Sequence, residues 1–332
     1  MKKLFLPLTV FLAVFLLAAP LFAGGQTENA MGKATVLRIS TNHPDTTPAS
    51  KGLQLFAKRI EELTNGSIKG EIFYSSVLGS EREVMEQIKA GAVDITHISA
   101  GFLSAFVPVV DVFNVPYVFR SGDHFWKVLN GSVGKEITDA VEKSGYKFLY
   151  WEEAGARSFY NNIRPITSPQ DVAGLKIRVM GSEVMIKAMD ILGVNPTTTA
   201  FAEVYNALQT GVIDGAENNS ISVSSMKHNE VAKYYSLDEH MRIPDLVLMS
   251  KQSWNALSES EQKAFAEAAK EAQDFTIAEW ARQESAAYDI IRKTTAINEI
   301  PDKAPWIAAV TPLQKELSPK FNGLIERIQA VK

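Results

Sequence analysis

The chain contains no cysteine among its 332 residues. Disulfide bonds, thiolate nucleophiles and lipid attachment through cysteine are therefore excluded. Histidine is scarce, with five copies, and no two of them have the H-E-x-x-H spacing of a helical metal site. G-x-G-x-x-G, G-x-S-x-G and a complete phosphate loop are also missing from the sequence. We expect no catalytic residue, metal or cofactor, although a catalytic site built from scattered residues stays open.

Long apolar runs are absent after the first segment, MKKLFLPLTVFLAVFLLAAPLFAGG. This segment begins with Lys2 and Lys3, is apolar to Phe22 and ends in small residues, a pattern typical of a secretory signal peptide. We predict a signal peptide over 1–23, cleaved near Ala23, and a linker over 24–34. The alternative is a retained membrane anchor, because the run approaches the roughly 18 residues of a spanning helix.

Strong charge of either sign is also missing. The chain has 34 Lys and Arg against 38 Asp and Glu, a net charge of −4, which becomes −6 when Lys2 and Lys3 leave with the signal peptide. Such a chain is not expected to bind nucleic acid or anionic membrane surfaces. About 305 residues would remain, a length typical of two α/β lobes.

The mature segment alternates between strand-like and helix-like patterns. TVLRIST (35–41), IKGEIFYSS (68–76) and AVDITHIS (92–99) are strand-like, and a capping box begins the intervening helix at Ser80 and Glu83. A βαβα order predicts an α/β fold with a largely parallel sheet and helices on both faces.

One pattern occurs twice. QIKAGAVDITH (87–97) and LQTGVIDGAEN (208–218) both read as helix, glycine cap, strand and aspartate, and the second predicts a short strand over Val212–Asp214. Ligands of open α/β sheets lie beyond the carboxyl ends of strands, so these two strand ends could face each other across a cleft. Alternatively, such junctions simply recur in α/β proteins.

Neither glycine nor proline occurs from Asp245 to Glu299. The capping sequence at Ser258 predicts a helix to about Lys293, and about 33 helical residues extend about 50 Å. Because this exceeds one small lobe, we expect the helix to span both lobes and to act at a hinge. Two separate helices are the alternative.

Arg178 lies within the strand-like GLKIRVMG (174–181), where Ile177 and Val179 share the opposite face. A buried guanidinium requires an anion, and its planar fork suits a carboxylate. Either an anionic ligand or an acidic residue of the protein could supply it. Arg157, in EAGARSFYNN, is either a surface loop charge or a second anion ligand.

The blocks GARSFYNN (155–162), GLKIRVMG and AFAEVYNALQTGVIDGAENN (200–219), in this order, resemble the substrate-binding subunit of TRAP transporters, the tripartite ATP-independent periplasmic transporters. FYSSVLGSEREVMEQIKAGAVDI (73–95) and VPYVF (115–119) strengthen the resemblance, which covers about residues 35–330. It implies a two-lobe periplasmic binding protein fold with a hinge and a long helix spanning both lobes. The implied lobes are 35–154 plus about 244–283 for lobe I, and 155–243 plus about 284–332 for lobe II.

The resemblance also implies a function. The protein would be a periplasmic monomer, not an enzyme, that closes on a small organic acid and delivers it to the small and large membrane permease subunits. Arg178 would clamp the ligand carboxylate with help from Arg157. The other implied ligand-binding residues are Asn42, His43, Glu81, Ser99, Phe201, Glu217, Asn218, Asn219, His240 and Asp245. Glu217 would alternatively hold an arginine, and His43 would alternatively be solvated.

Two local features bear on the ligand. Ser99 stands where sialic-acid-binding members tend to carry a carboxylate, which argues against that substrate. The run AENN at 216–219 resembles members that take uronates, so a uronate is the leading expectation, ahead of C4-dicarboxylates and keto acids. A sensory ligand-binding module, and a lyase or isomerase on the same scaffold, stay open as alternatives.

Overall fold

Two β-sheets flanked by helices organise the chain. The computed structural model describes residues 34–332, so the predicted signal peptide and nearly all of the linker lie outside the described residues. Among the helices of residues 34–332, none combines the length and the apolar character needed to cross a bilayer.

The strands of the described part are β1 (Thr35–Ser40), β2 (Ile68–Phe73), β3 (Ile95–Ser99), β4 (Tyr146–Glu152), β5 (Ala156–Asn161), β6 (Lys176–Val179), β7 (Asn195–Thr198), β8 (Gly215–Asn218), β9 (Tyr234–Arg242), β10 (Asp245–Ser250) and β11 (Ala296–Glu299). The α-helices are α1 (Pro48–Leu63), α2 (Glu81–Ala90), α3 (Ala100–Leu103), α4 (Gly122–Leu129), α5 (Ser132–Lys143), α6 (Glu183–Ile191), α7 (Val204–Gln209), α8 (Ser220–Ser225), α9 (Lys251–Asn255), α10 (Glu259–Ile291), α11 (Ala304–Leu317) and α12 (Leu324–Ala330).

The first sheet has the order β2-β1-β3-β10-β4, and the second has the order β11-β9-β5-β8-β6-β7. In the first sheet, β1 is parallel to β2 and β3, whereas β10 is antiparallel to β3 and β4. In the second, β6 is parallel to β7 and β8, whereas β5 is antiparallel to β8 and β9. The sheets are therefore mixed rather than largely parallel, because the chain passes between them after β4 and again before β10.

The repeated helix–glycine–strand pattern has the same backbone geometry in both sheets. Gly91 after α2 and Gly211 after α7 both adopt left-handed conformations, with φ of 71° and 73°. Glycine adopts this conformation without the steric cost of a Cβ atom, which explains its place at both helix ends. The strand predicted at Val212–Asp214 is wrong, since β8 begins at Gly215.

The aspartates of the two copies also have equivalent roles. The Asp94 carboxylate accepts a hydrogen bond from the backbone N–H of Arg38 on β1 at 2.8 Å. The Asp214 carboxylate accepts one from the backbone N–H of Lys176 on β6, also at 2.8 Å. Each aspartate thus connects its helix–strand junction to a neighbouring strand, which is a structural role.

Helix α10 is continuous over 33 residues and begins with the predicted capping box of Ser258 and Glu261. Its first half packs Phe265 and Ala272 into the core of the first sheet, and its last residue, Ile291, belongs to a core cluster of the second sheet. The single long helix that contacts both lobes is confirmed, together with the two-lobe α/β fold class.

The two strand crossovers are tied together by one carboxylate. Glu153 Oε1 accepts hydrogen bonds from Gly155 N and from Arg242 Nη1, both at 2.8 Å. Glu153 Oε2 accepts one from Trp126 Nε1 at 2.8 Å. Residues 153–155 and 243–244 are therefore two crossover segments between the sheets that hydrogen bonds hold together.

The C-terminal helices contact elements beside both sheets. His124 Nε2 on α4 lies 2.9 Å from Ile328 O on α12, and Lys187 on α6 forms an ion pair with Glu316 on α11 at 3.2 Å. The predicted lobe boundaries, including the placement of 284–332 in lobe II, therefore stay predictions.

Gly155 offers a test of the first crossover. Its φ is +64°, and Trp280 Cζ2 lies 2.5 Å from the position of an added Cβ atom. We expect Gly155→Ala to lower the free energy of unfolding by about 2–4 kcal/mol, from backbone strain plus overlap with the ring. Gly174→Ala is the matched control, since φ there is +76° and nothing lies within 4 Å, so it should lose about 1 kcal/mol. Equal losses in urea denaturation would show that packing on Trp280 does not constrain the crossover.

Candidate functional site

Strand ends from both sheets meet around a small pocket of about 30 Å³, which we call the inner cavity. It is lined by Asn42, His43, Glu81, His97, Ser99, Phe102, Ala154, Arg157, Arg178, Met180, Phe201, Asn218, Asn219, Ser222 and Asp245. Both β3 and β8, the strands of the repeated pattern, end in this lining. The inner cavity therefore lies at the strand ends, where ligands of open α/β sheets bind.

Arg178 is 1% exposed and lies on β6 with Ile177 and Val179 buried beside it. Its Nε and Nη2 donate hydrogen bonds to Thr199 O at 2.8 and 2.7 Å, and no carboxylate of residues 34–332 forms an ion pair with it. Burial lowers the pKa of Arg178, and the distant Glu217 carboxylate offsets this only in part. The guanidinium is thus a buried positive charge without an anionic partner among the described residues.

Arg157 has the opposite environment. It lies on β5, 5% exposed, so the alternative of a surface loop charge is wrong. Its Nε and Nη2 donate to the two carboxylate oxygens of Glu217 at 2.6 and 2.8 Å, and Nη1 donates to Asn218 Oδ1 at 2.7 Å. Burial alone would lower the pKa of Arg157, but the Glu217 carboxylate raises it overall.

Glu217 and His240, both predicted to contact ligand, lie outside the lining of the inner cavity. The Glu217 carboxylate is fully buried and forms an ion pair with Arg157. Its observed contacts therefore match the predicted alternative, in which Glu217 holds an arginine. His240 Nε2 lies 3.6 Å from Glu217 Oε2, and its Nδ1 lies 2.7 Å from Asp238 Oδ2. Glu217 thus contacts Arg157 directly, and His240 contacts Glu217, on the side of Arg157 that does not face the inner cavity.

The two asparagines at the end of β8 brace each other. Asn218 Oδ1 accepts from Arg157 and from Asn219 N at 2.9 Å. Asn219 Oδ1 accepts from Ser222 N at 2.7 Å and thereby caps α8. Both side chains line the inner cavity, but the carbonyl oxygen of each one already accepts hydrogen bonds from groups of the protein.

A buried ionic cluster lies on the first-sheet side of the inner cavity. His97 Nε2 on β3 lies 3.1 Å from Asp245 Oδ2 on β10 and 3.2 Å from Glu152 Oε2 on β4. Burial would lower the pKa of His97, but the Asp245 and Glu152 carboxylates raise it to about 9. Burial raises the pKa of Glu152 to about 7. The raised pKa favours the protonated form of His97, and its Nε2 atom faces both carboxyl groups.

Three buried polar atoms of residues that line the inner cavity lack a hydrogen-bond partner among residues 34–332, namely Asn42 Oδ1, His43 Nδ1 and His97 Nδ1, and so do both carboxyl oxygens of Glu152 behind them. Burial lowers the pKa of His43 to about 3, so this ring is neutral. Buried polar atoms of native proteins almost always have partners. Atoms without partners also occur elsewhere in the described residues, for example Asn114 Oδ1 and Asn229 Oδ1, but these three belong to residues that line a pocket in which a polar ligand can supply the missing partners.

Glu81 and Ser99 complete the first-sheet wall. Glu81 Oε1 accepts a hydrogen bond from Ser99 N at 3.2 Å, and burial raises the pKa of Glu81 to about 7. Phe201 lies opposite, with its ring centroid 5.6 Å from that of His43. Contacts of these two rings join the walls contributed by the two sheets.

Sequence reasoning missed several members of the inner cavity, notably His97, Phe102 and Met180. His97 had a usable signal, because it lies two residues before Ser99 on β3 and side chains two apart share a face of a strand. Phe102 and Met180 carry no polar signal and are recognisable only from the fold.

His43, His97 and Asp245 each offer one ligand atom, and these atoms lie within 4.8 Å of one another, so the group could hold a metal ion. His97 Nε2, however, lies within hydrogen-bond distance of Asp245, and a proton on that ring serves the same electrostatic purpose. The predicted lack of a metal stays a prediction.

Comparison with known families identifies the chain. A family model described as "Bacterial extracellular solute-binding protein, family 7" matches residues 39–320. The chain belongs to this family. Its members are solute-binding proteins of transporters rather than enzymes, and they are periplasmic.

Individual family 7 proteins are similar over nearly the whole chain. A solute-binding protein from Chromohalobacter salexigens is 37% identical over 291 residues, which cover 86% of this chain and 87% of that protein. A TRAP periplasmic solute-binding protein from Roseobacter denitrificans, solved with bound β-D-glucuronate, has 38% identity and a TM-score of 0.86 and covers 90% of this chain and 100% of that one. Another from Sulfurospirillum deleyianum, solved with bound succinate, has 33% identity and a TM-score of 0.87 with the same coverage. The predicted membership of the TRAP solute-binding proteins is confirmed.

The Arg157–Glu217 pair of this family 7 protein makes its stability depend on pH. Burial opposes ionisation, but Arg157 and His240 lower the pKa of Glu217 from 4.5 to about 2. A lowered carboxyl pKa stabilises the fold fully above pH 4.5, and this contribution is lost as pH falls toward 2. We expect Glu217→Gln to lower the free energy of unfolding at pH 7 by about 3–5 kcal/mol, because Arg157 is left buried and unpaired.

The pH series supplies the control for this pair. In denaturant titrations from pH 7 to pH 2.5, the difference in the free energy of unfolding between wild type and Glu217→Gln should become smaller as the pH falls. Glu183→Gln is the matched control, since that exposed carboxylate pairs with Lys320 at 2.8 Å and should change stability by less than about 1 kcal/mol. A constant difference across the pH range would contradict the proposed ionised pair.

Proposed function

We propose that this protein binds a small organic acid whose carboxylate enters the inner cavity, that it delivers the acid to the TRAP membrane permease, and that the acid is a uronate. The observation that carries the proposal is the buried Arg178, which has no carboxylate partner among the described residues. A ligand carboxylate would supply the missing anion through two parallel charge-assisted hydrogen bonds. Arg157, Asn218 and Asn219 would form the adjoining polar wall, and Phe201 would pack on the ligand.

The opposite wall favours a sugar acid over a dicarboxylate. It presents acceptors and acids, namely Asn42 Oδ1, the Glu81 carboxyl group and the Asp245 carboxylate. The hydroxyl groups of a uronate can donate hydrogen bonds to these atoms. A second ligand carboxylate would be repelled by Asp245, and the His97 imidazolium would compensate only part of that repulsion.

The ligands of the relatives support the same class. The Roseobacter denitrificans protein was solved with β-D-glucuronate, and proteins from Sulfitobacter sp. and Xanthobacter autotrophicus were solved with β-D-galacturonate. The succinate of the Sulfurospirillum deleyianum structure supports the second candidate, a C4-dicarboxylate.

Closure of the two lobes would allow the permease to distinguish the ligand-bound protein from the ligand-free protein. A ligand that bridges Arg178 and the first-sheet wall makes all of its contacts only when both walls approach it. This difference in contacts shifts the equilibrium between open and closed forms toward the closed form. The crossovers at 153–155 and 243–244 and helix α10 are the proposed hinge, and the closed form of a secreted monomer, cleaved near Ala23, would dock on the small and large permease subunits.

Removal of the guanidinium tests the clamp. Arg178→Ala should weaken uronate binding by a few hundred-fold or more, because two charge-assisted hydrogen bonds contribute about 3–5 kcal/mol together. Arg178→Lys should recover only part of the affinity, since an ammonium group cannot form the planar bidentate pair. Isothermal titration calorimetry is the measurement, and Lys176→Ala, an exposed change on the same strand, controls for net charge. Near-normal binding by Arg178→Ala would refute the assignment.

A matched ligand pair tests the class of ligand. Galacturonate and galactose differ at C6, where the acid has a carboxylate and the neutral sugar a hydroxymethyl group. At 100 times its dissociation constant a ligand adds about 2.7 kcal/mol to the free energy of unfolding, so galacturonate or glucuronate should raise the melting temperature and galactose should not. A larger shift with succinate than with either uronate would favour the dicarboxylate candidate, and a shift with galactose alone would exclude an organic acid.

A further inference from the structure

Strand β9 bulges where it pairs with β5. Phe159 lies opposite Ser236 and Arg157 lies opposite Met241, so residues 157–159 of β5 face the longer stretch 236–241 of β9. Glu239, within this stretch, adopts a left-handed conformation with φ of 52°. That conformation is unfavourable for a residue with a Cβ atom, so the bulge persists only where surrounding contacts hold it.

The bulge brings together two side chains that a regular strand keeps apart. Residues two apart in a strand are separated by about 6.6 Å along its axis. Here Asp238 Oδ2 lies 2.7 Å from His240 Nδ1, and Asp238 Oδ1 accepts a hydrogen bond from Phe159 N at 3.1 Å. The His240 ring stacks on Phe159 with a centroid distance of 4.4 Å, and its Nε2 lies 3.6 Å from Glu217 Oε2.

Four side chains of alternating charge therefore lead from the bulge to the inner cavity, in the order Asp238, His240, Glu217 and Arg157. Successive members are 2.7, 3.6 and 2.6 Å apart. Burial would lower the pKa of His240, but the Asp238 and Glu217 carboxylates raise it to about 9, which favours the positive form. Arg157 is the member that lines the inner cavity, so a ligand carboxylate there is the next negative charge in the row.

Tyr117 holds the bulge from outside the sheet. It belongs to VPYVF (115–119), which has no contact with the inner cavity. Tyr117 N donates a hydrogen bond to His240 O at 2.8 Å, and Tyr117 Oη donates one to Asp238 O at 3.0 Å. One residue thus binds the backbone carbonyl groups on both sides of Glu239. Tyr117 is itself left-handed, with φ of 54°, and such strained residues concentrate at functional sites.

We propose that Tyr117 is a positioning residue of the ligand site. It holds the bulge of β9, and thereby the row from Asp238 to Arg157, in the geometry that directs the Arg157 guanidinium at the ligand carboxylate. The proposal rests on the proposed function, since it needs an anionic ligand beside Arg157. Without the Tyr117 hydroxyl group, the Asp238 carbonyl oxygen loses this donor, the bulge relaxes and His240 moves away from Glu217.

Calorimetry with galacturonate and an NMR titration of His240 test this role. Tyr117→Phe removes only the hydroxyl group and should weaken galacturonate binding about fivefold, the effect of one lost hydrogen bond. In the same variant the pKa of His240 should fall from about 9 toward 6.5, because its carboxylate neighbours are no longer held against it. Tyr146→Phe is the matched control and should change neither value, since the buried Tyr146 hydroxyl has no partner among residues 34–332.

A double-mutant cycle identifies the route of the effect. Because Tyr117 acts through His240, Tyr117→Phe should cause no further loss of affinity in a His240→Gln background. Equal losses in both backgrounds overturn the proposal, as does a weaker affinity with an unchanged pKa of His240. A lower pKa of His240 with unchanged affinity also overturns it, because the bulge then does not govern the ligand site. So does a variant in which neither value changes.

Failure of the proposed function gives a different result, since it concerns the wild type. If wild-type protein binds neither uronate but another organic acid, the uronate assignment is refuted, and the same variants measured with that acid decide the role of Tyr117. If wild-type protein binds no organic acid, both proposals are refuted.

Discussion

The arrangement of this binding protein depends on the different treatment of two buried arginines. Burial of a charge without a partner is unfavourable, and for Arg157 the Glu217 carboxylate of the protein itself offsets this free energy. Arg178 receives only the Thr199 carbonyl oxygen from the described protein. One guanidinium is thereby held as part of the framework, and the other retains the capacity to bind an anion.

The supporting pair and the free arginine lie on neighbouring strands for a simple reason. Strand β8 lies between β5 and β6 in the second sheet. Glu217 on β8 can therefore contact Arg157 on β5, while Arg178 lies on β6, the neighbour on the other side of β8. His240 and Asp238 on β9 extend the ionic support behind Arg157. The rigidity of this layer presents the Arg178 guanidinium in a defined orientation, which lowers the cost of ordering it when a ligand binds.

The opposite wall depends on strand β10, which returns from the second sheet to lie between β3 and β4. Its register places Asp245 beside both Ser99 and Glu152, and this places His97 between two carboxyl groups. The crossovers that create this register also connect the two walls. The connection between the lobes and one side of the candidate site therefore come from the same topological feature.

Local patterns in the sequence were sufficient for the helix caps, the glycine junctions, the unbroken α10 and the position of Arg178 on a strand, because each depends on neighbours within a few residues. The blocks around Arg157, Arg178 and Asn218 were sufficient for the family. Tertiary structure decided which arginine has an internal partner, that Glu217 and His240 stand behind the cavity, and that His97 joins it. Those outcomes depend on pairing between strands far apart in the chain, such as β3 with β10, and sequence periodicity carries no information about that register.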